Sequence, residues 1–189
     1  MRTTQLYHPT EADALACFEL KLATVMEGYF RALRERVVSL TERDGMLPTT
    51  FWMGERDALV RLLFPLYEAG TRLGMELERP PRTAFATFIN PNIGLQSIIN
   101  QLVSNVAQEI TVTVARYVSE MLNMGLNPQG LPDRLRQELR QSILSDSRAE
   151  QLACQQAERV IAAGKVLVNP PRPIERIVPL EYELERVCI

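Results

Sequence analysis

Apolar side chains recur every three or four residues along most of this chain, and the pattern breaks at a few points rich in proline and glycine. Leu15, Phe18, Leu22, Val25, Tyr29, Leu33, Val37 and Leu40 fall on one side of a helical projection. Glu27, Arg31, Arg34, Glu35 and Arg36 fall on the other. The spacing predicts an amphipathic helix over residues 11–44, wet on its charged side. Thr10 with Asp13 three residues later offers a variant of the capping box, Pro9 discourages an earlier start, and Gly45 followed by Pro48 predicts a left-handed cap. The same spacing serves a bundle helix or the seam of a coiled coil.

A second helix is predicted over 54–78 from Leu59, Leu62, Leu63, Leu66, Leu73 and Leu77. Pro65 lacks an amide donor and should kink it, and Phe51 and Trp52 form an apolar plug ahead of its entry. Pro80 and Pro81 stop the pattern. The stretch PRTAFATFINPN that follows is too apolar for a solvated loop, because Phe85, Phe88 and Ile89 need cover from the helices or from another chain. Asn90 and Pro91 open a third helix over 91–124, carried by Leu95, Ile98, Ile99, Leu102, Val106, Ile110, Val114, Tyr117, Met121 and Met124. Its interior run ITVTV has strand propensity, but helical periodicity on both sides outweighs five residues.

Between Gly125 and Gly164 the pattern reads loop, short helix, polar break, helix. Leu131, Leu135, Leu139 and Ile143 place the short helix at 132–144, with Asp133, Arg134, Arg136, Glu138 and Arg140 on its wet side. Ser147 and Glu150 spell a capping box for a helix over 147–163 that buries Leu152, Ala153, Gln156 or Ala157, Val160 and Ile161. From 165 to 189 the chain carries four prolines, alternates apolar with charged residues and loses the helical period. That composition predicts an extended arm, with strand character at 176–178 or 182–187, lying on the body or added to a neighbour's sheet or groove. The expected fold class is mainly α: long amphipathic helices in a bundle over 1–164, then the proline-rich arm over 165–189.

Composition narrows the function. The chain has 189 residues, 46% of them apolar, enough for a core without staples. Its 21 Lys and Arg against 23 Asp and Glu leave a formal charge of −2 and a pI near 5.6, which disfavours bulk DNA binding because grip on phosphate needs surplus cations. Cys17, Cys154 and Cys188 are distant and odd in number, as free thiols in a reducing compartment would be. Neither an apolar leader nor an apolar run of about 18 residues is present, so a soluble protein made in the cytoplasm is expected.

Candidate chemistry is thin. His8 is the single histidine, and the partners that a metal site or a catalytic triad would need are not found around it. The carboxylates stand beside arginines, as in ERD at 42–44 and again at 55–57, which does not raise a pKa for acid catalysis. Glycines occur singly, read as caps and turns, and no phosphate-cradling motif appears. No catalytic, metal-binding or cofactor-binding residue is assigned and no enzymatic activity is expected. The helix pair around Leu144–Ser147 has helix-turn-helix proportions, with Arg148, Glu150, Gln151, Gln155 and Gln156 opening the second helix. Arg134, Arg136 and Arg140 are offset there by Asp133, Glu138, Asp146 and Glu150, so the local field for DNA is weak.

The loop GLNPQGLPDRLRQEL followed by DSRAEQLACQQAERVIAAGKV resembles the phage head morphogenesis, or minor head protein, family of the phage Mu type. In that family a similar loop and short helix lead into R-A-x-x-I-A-R-T-E-x-x-x-A, which Arg148, Ala149, Leu152 and Ala153 match in kind. The stretches FWMGERDALVRLLFPLYEAGTRLG and INPNIGLQSIINQLVSNVAQEITVTVARYVSEMLNMG are similar to the helices that precede it, so the likeness covers about residues 50–168. This chain departs from R-T-E with Cys154, Gln155 and Gln156. The resemblance implies a virion component at the portal or inner head surface, present in several copies, with portal or capsid proteins as partners and no active site. It would reside in the host cytoplasm during assembly and afterwards in the virion. On this view the partner-binding residues are Phe85, Phe88 and Ile89 with Pro173, Ile174, Ile177, Val178, Leu180, Tyr182 and Leu184. The alternative is a DNA-binding or regulatory module built on the helix pair.

Overall fold

The computed structural model describes residues 10–78, 91–124 and 130–168, and every element among them is a helix. In chain order these are α1 (Glu11–Asp44), α2 (Phe51–Glu78), α3 (Pro91–Asn123), α4 (Leu131–Gln141) and α5 (Asp146–Val168). The mainly α, bundled architecture agrees with the periodicity; the arm expected after residue 168 lies outside the described residues. The four long helices alternate in direction, α4 joining α3 to α5. Tyr67 meets Gln156 and Thr71 meets Gly164, so α2 and α5 run parallel. Phe18 meets Gly70 while Tyr29 meets Glu55, and Ser104 lies beside Val60 while Val112 lies beside Trp52, so α1 and α3 run opposite to α2. α5 is wedged between α1 and α2, and α3 packs mainly on the other flank of α2.

Several ends form as their residues dictate. Thr10 Oγ1 accepts the Asp13 amide at 3.2 Å while the Asp13 carboxylate accepts the Thr10 amide at 2.9 Å, completing the capping box of α1. Gly45 closes that helix at φ 70°, its amide donating to Thr41 O. Other ends shift. α2 begins at Phe51, three residues before the expected start, so the two aromatics stand in its first turn with ring centroids 4.9 Å apart, edge to face. α4 stops at Gln141, because Leu144 turns its amide back to Leu139 O at 3.0 Å and buries its side chain. The cap of α5 is Ser145 rather than Ser147: its hydroxyl accepts the Arg148 amide at 3.3 Å, and Ser147 is exposed.

α2 passes through Pro65 as one helix. The carbonyl of Arg61 loses its partner there, but both residues are exposed and water can replace it. The ITVTV run is helical throughout, and Thr111 and Thr113 bond back to Ala107 O and Glu109 O at 2.7 Å each.

The closest helix contact overturns the reading of glycines as caps and turns. Gly74 of α2 and Gly164 of α5 lie inside their helices, where the two backbones touch. A Cβ on Gly74 would meet the Ile161 carbonyl carbon at 2.9 Å. One on Gly164 would meet the Thr71 carbonyl carbon at 2.9 Å and Gly74 Cα at 3.0 Å. One turn earlier, Gly70 leaves room for the Phe18 ring and Val160. Gly164 therefore continues α5 instead of ending it, and Lys165–Val168, expected to start the arm, form the last helical turn.

The core is broader than one stripe per helix. Because α1 faces more than one neighbour, Ala23, Met26, Phe30 and Val38 are buried along with Phe18, Leu22, Tyr29, Leu33 and Val37, while Val25 and Leu40 are only half-buried. Leu62 and Met124, expected inside, are exposed. Arg34 is the main correction on the wet side: it is buried, and its guanidinium donates to Leu144 O at 3.2 Å, satisfying a carbonyl of the α4–α5 turn. Glu55 is also buried. It pairs across helices with Arg36, through Nε at 2.7 Å and Nη2 at 2.6 Å, while the Tyr29 hydroxyl donates to its carboxylate at 3.2 Å. Among the described residues no buried side-chain polar atom lacks a hydrogen-bond partner.

Two outcomes test this packing. Gly74→Ala and Gly164→Ala should each lower the urea midpoint, by roughly 1–3 kcal/mol in stability, because the clash with a helix backbone outweighs a helix-propensity gain of about 1 kcal/mol. Gly28→Ala, at an exposed position with no atom within 4 Å of the added carbon, should raise stability by up to about 1 kcal/mol.

The Tyr29 hydroxyl is pushed well above its ordinary pKa by burial, then by the charge and hydrogen bond of Glu55, with Arg36 opposing. Burial does the same to Tyr67. An unfolded tyrosine releases its proton near pH 10, whereas these two hold theirs, so above that pH the unfolded chain binds fewer protons. Stability is then complete below about pH 10 and falls above it by about 1.4 kcal/mol per pH unit for each phenol. Chemical denaturation between pH 8 and 11 should show this slope, and Tyr67→Phe should halve it.

Candidate functional site

Four helix termini gather at one pole of the body. Gly94 near the start of α3 lies against Leu167 near the end of α5, Gly74 near the end of α2 lies against Ile161, and Lys165 is paired with Glu11 at the start of α1. The chain therefore leaves the described helices at Glu78 and at Val168, and re-enters at Pro91, on the same end. The candidate partner-binding residues Phe85, Phe88, Ile89, Pro173, Ile174, Ile177, Val178, Leu180, Tyr182 and Leu184 all lie outside the described residues. Both segments that hold them attach to this pole, a convergence that linear order does not reveal.

The helix pair at the opposite end is integrated into the body. α5 lies between α1 and α2, with Ala149, Leu152, Ala153, Gln156, Ala157, Val160, Ile161 and Gly164 buried. Of the residues that could open a DNA-reading helix, Glu150, Gln151 and Gln155 are exposed, and Arg148 is half-buried and bonded to Gln151 at 2.8 Å. Gln156 points inward and accepts the buried Tyr67 hydroxyl at 3.1 Å. On α4, Arg136 is engaged by Asp133 at 3.0 Å, Glu42 at 3.3 Å and Glu35 at 3.8 Å. The outward face of α5 presents Glu150 and Glu158 against Arg159.

These positions give the RAxxLA segment a physical role. Ala149, Leu152 and Ala153 are core residues of α5, which packs against both α1 and α2. The departure from R-T-E splits in two: Cys154 and Gln155 face solvent, whereas Gln156 joins α5 to α2 through Tyr67.

The remaining chemistry is modest. The Cys154 thiol lies 3.8 Å from the Glu19 carboxylate, whose charge, with Glu158, pushes its pKa above the ordinary value, the reverse of an activated nucleophile. A cavity of about 30 Å³ between Phe30, Ile110, Val114, Arg148 and Leu152 has room for a water or two. Among the described residues no group of three His, Cys, Asp or Glu is placed to hold a metal ion, and no helix is long and apolar enough to cross a membrane.

Sequence reasoning missed the Arg36–Glu55–Tyr29 cluster and Arg34, since nothing in the spacing says which arginine of a charged run turns inward. Gln156 was legible only as a polar residue on an apolar face. Gln156→Ala should cost about 1–3 kcal/mol by orphaning the Tyr67 hydroxyl, while Gln155→Ala should stay within about 0.5 kcal/mol; thermal melts of the two variants check this. No family model, curated protein or solved structure matches this chain.

Proposed function

We propose that this chain is a structural bacteriophage virion protein, a minor head or portal-vertex component that acts in head assembly through protein–protein contacts. The observation that carries the reading is the pole at which α2 and α5 end and α3 begins: the apolar stretch between Glu78 and Pro91 and the proline-rich stretch after Val168 both attach there. The stretches similar to the minor head family correspond to α2, α3, α4 and α5, and Ala149, Leu152 and Ala153 sit where the helices press together. A rigid helical body with adjacent docking segments suits a protein whose task is to hold neighbours. An arm that alternates apolar and charged residues suits addition to a neighbour's sheet edge or groove, with portal or capsid proteins and further copies of this chain as the partners.

The alternative of a DNA-reading helix pair has less support, because α5 is wedged between two helices and its outward face carries more acid than base.

Truncation after Val168 tests the proposal. The shortened chain should keep its helical circular dichroism and melting temperature, yet be lost from particles purified from cells in which it replaces the full chain. Equal incorporation of the truncated chain, or absence of the full chain from particles, overturns the reading.

A further inference from the structure

α3 is chemically unlike the other long helices. It carries three charged side chains in 33 residues, Glu109, Arg116 and Glu120, where α1 carries twelve in 34. Its outward positions Ser97, Gln101, Ser104, Asn105 and Gln108 are exposed and uncharged, and Val112 continues them one turn on at 52% exposure. At 100° per residue these positions share one side of the helix. A helix face that meets only water normally carries charge, and depletion of charge is the mark of an interface centre.

The ground beside this stripe points the same way. Trp52 and Met53 of α2, with Val112 and Ala115, line a largely apolar furrow of about 230 Å³, and Met53 is 56% exposed. A second furrow, of about 440 Å³, runs between Ser104, Asn105 and Gln108 on one bank and Arg56, Asp57 and Val60 on the other. Arg56 and Asp57 contact each other at 3.4 Å, and Arg56 also donates to Gln108, so the flanking charges are balanced within the chain.

We propose that this face binds a second copy of the chain, α3 against α3, antiparallel about a two-fold axis near Ser104 and Asn105. The occupant follows from the charge pattern. In a two-fold contact the same patch serves both sides, so any charge near the axis meets its own image, and a stripe without charges incurs no such repulsion. Amides and hydroxyls both donate and accept, which makes the stripe complementary to itself. A nucleic acid would call for cations there, and an acidic or basic protein for the opposite sign; the stripe offers neither. The antiparallel register sets Gln101 opposite Gln108 and Ser97 opposite Val112, and carries a Trp52–Met53 furrow to each end of the contact. The inference does not depend on the virion reading.

Sedimentation equilibrium of the full chain at micromolar concentrations tests it. The natural chain should be dimeric, and Ser104→Arg and Ser104→Glu should each weaken the dimer at least tenfold, while a mixture of the two should recover it as a heterodimer. Ser104 is exposed, so both variants should melt as the natural chain does, and Gln155→Arg on α5 should leave the dimer unchanged. Should a Ser104 variant unfold, Asn105→Arg, across the axis from Ser104 of the second copy, should give the same loss. A monomeric natural chain overturns the proposal, as does a dimer indifferent to these charges or a failure of the mixed variants to pair.

Discussion

The backbone contact between α2 and α5 is the constraint from which the rest of the body follows. Glycine in mid-helix costs about 1 kcal/mol relative to alanine, and this chain accepts that cost at Gly74 and Gly164 so that two carbonyl-bearing surfaces can touch. Close approach multiplies dispersion contacts and admits Cα–H to carbonyl contacts that bulkier residues would prevent. With α2 and α5 drawn together in parallel, α1 lies against both, with Phe18 over Gly70, and α3 is left to cover the far side of α2. The Tyr67–Gln156 hydrogen bond lies about two turns below Gly74 and Gly164 and holds the same two helices in register.

Periodicity predicted the helices well because amphipathic repetition is a local property, repeated over many turns. It placed the capping box at Thr10, the left-handed cap at Gly45 and a continuous helix through ITVTV, where flanking evidence was ample. It failed where the deciding partner is distant in sequence. Gly164 looks like a helix end until Thr71 is known to press on it, and Arg34 looks like its wet neighbours until the α4–α5 turn presents it with a carbonyl. The shift from Ser147 to Ser145 as the cap of α5 reflects two serines of equal local merit, decided by how Leu144 is buried. Of the candidate site, the apolar segments were legible from composition, but their common point of attachment depends on the parallel course of α2 and α5.

Within the body, polar chemistry is used for orientation. Glu55 holds α1 to α2 through Arg36 and Tyr29, Arg34 holds α1 to the α4–α5 turn, and Gln156 holds α5 to α2. Each link joins a different pair of segments, so together they discriminate against slipped packings of the same apolar faces. A body specified in this way offers fixed anchor points to whatever attaches at its pole.

Arg34 and Leu144 are 110 residues apart in the chain, and the buried face of α1 finds its main partner in α5, the last helix described. The first of the described helices is thus among the last to be covered. Phe18, Leu22 and Phe30 lie on the face of α1 whose main partner is α5, so their burial is complete only once α5 is in place. Such long-range dependence slows folding and exposes the nascent chain to association with its neighbours on the polysome.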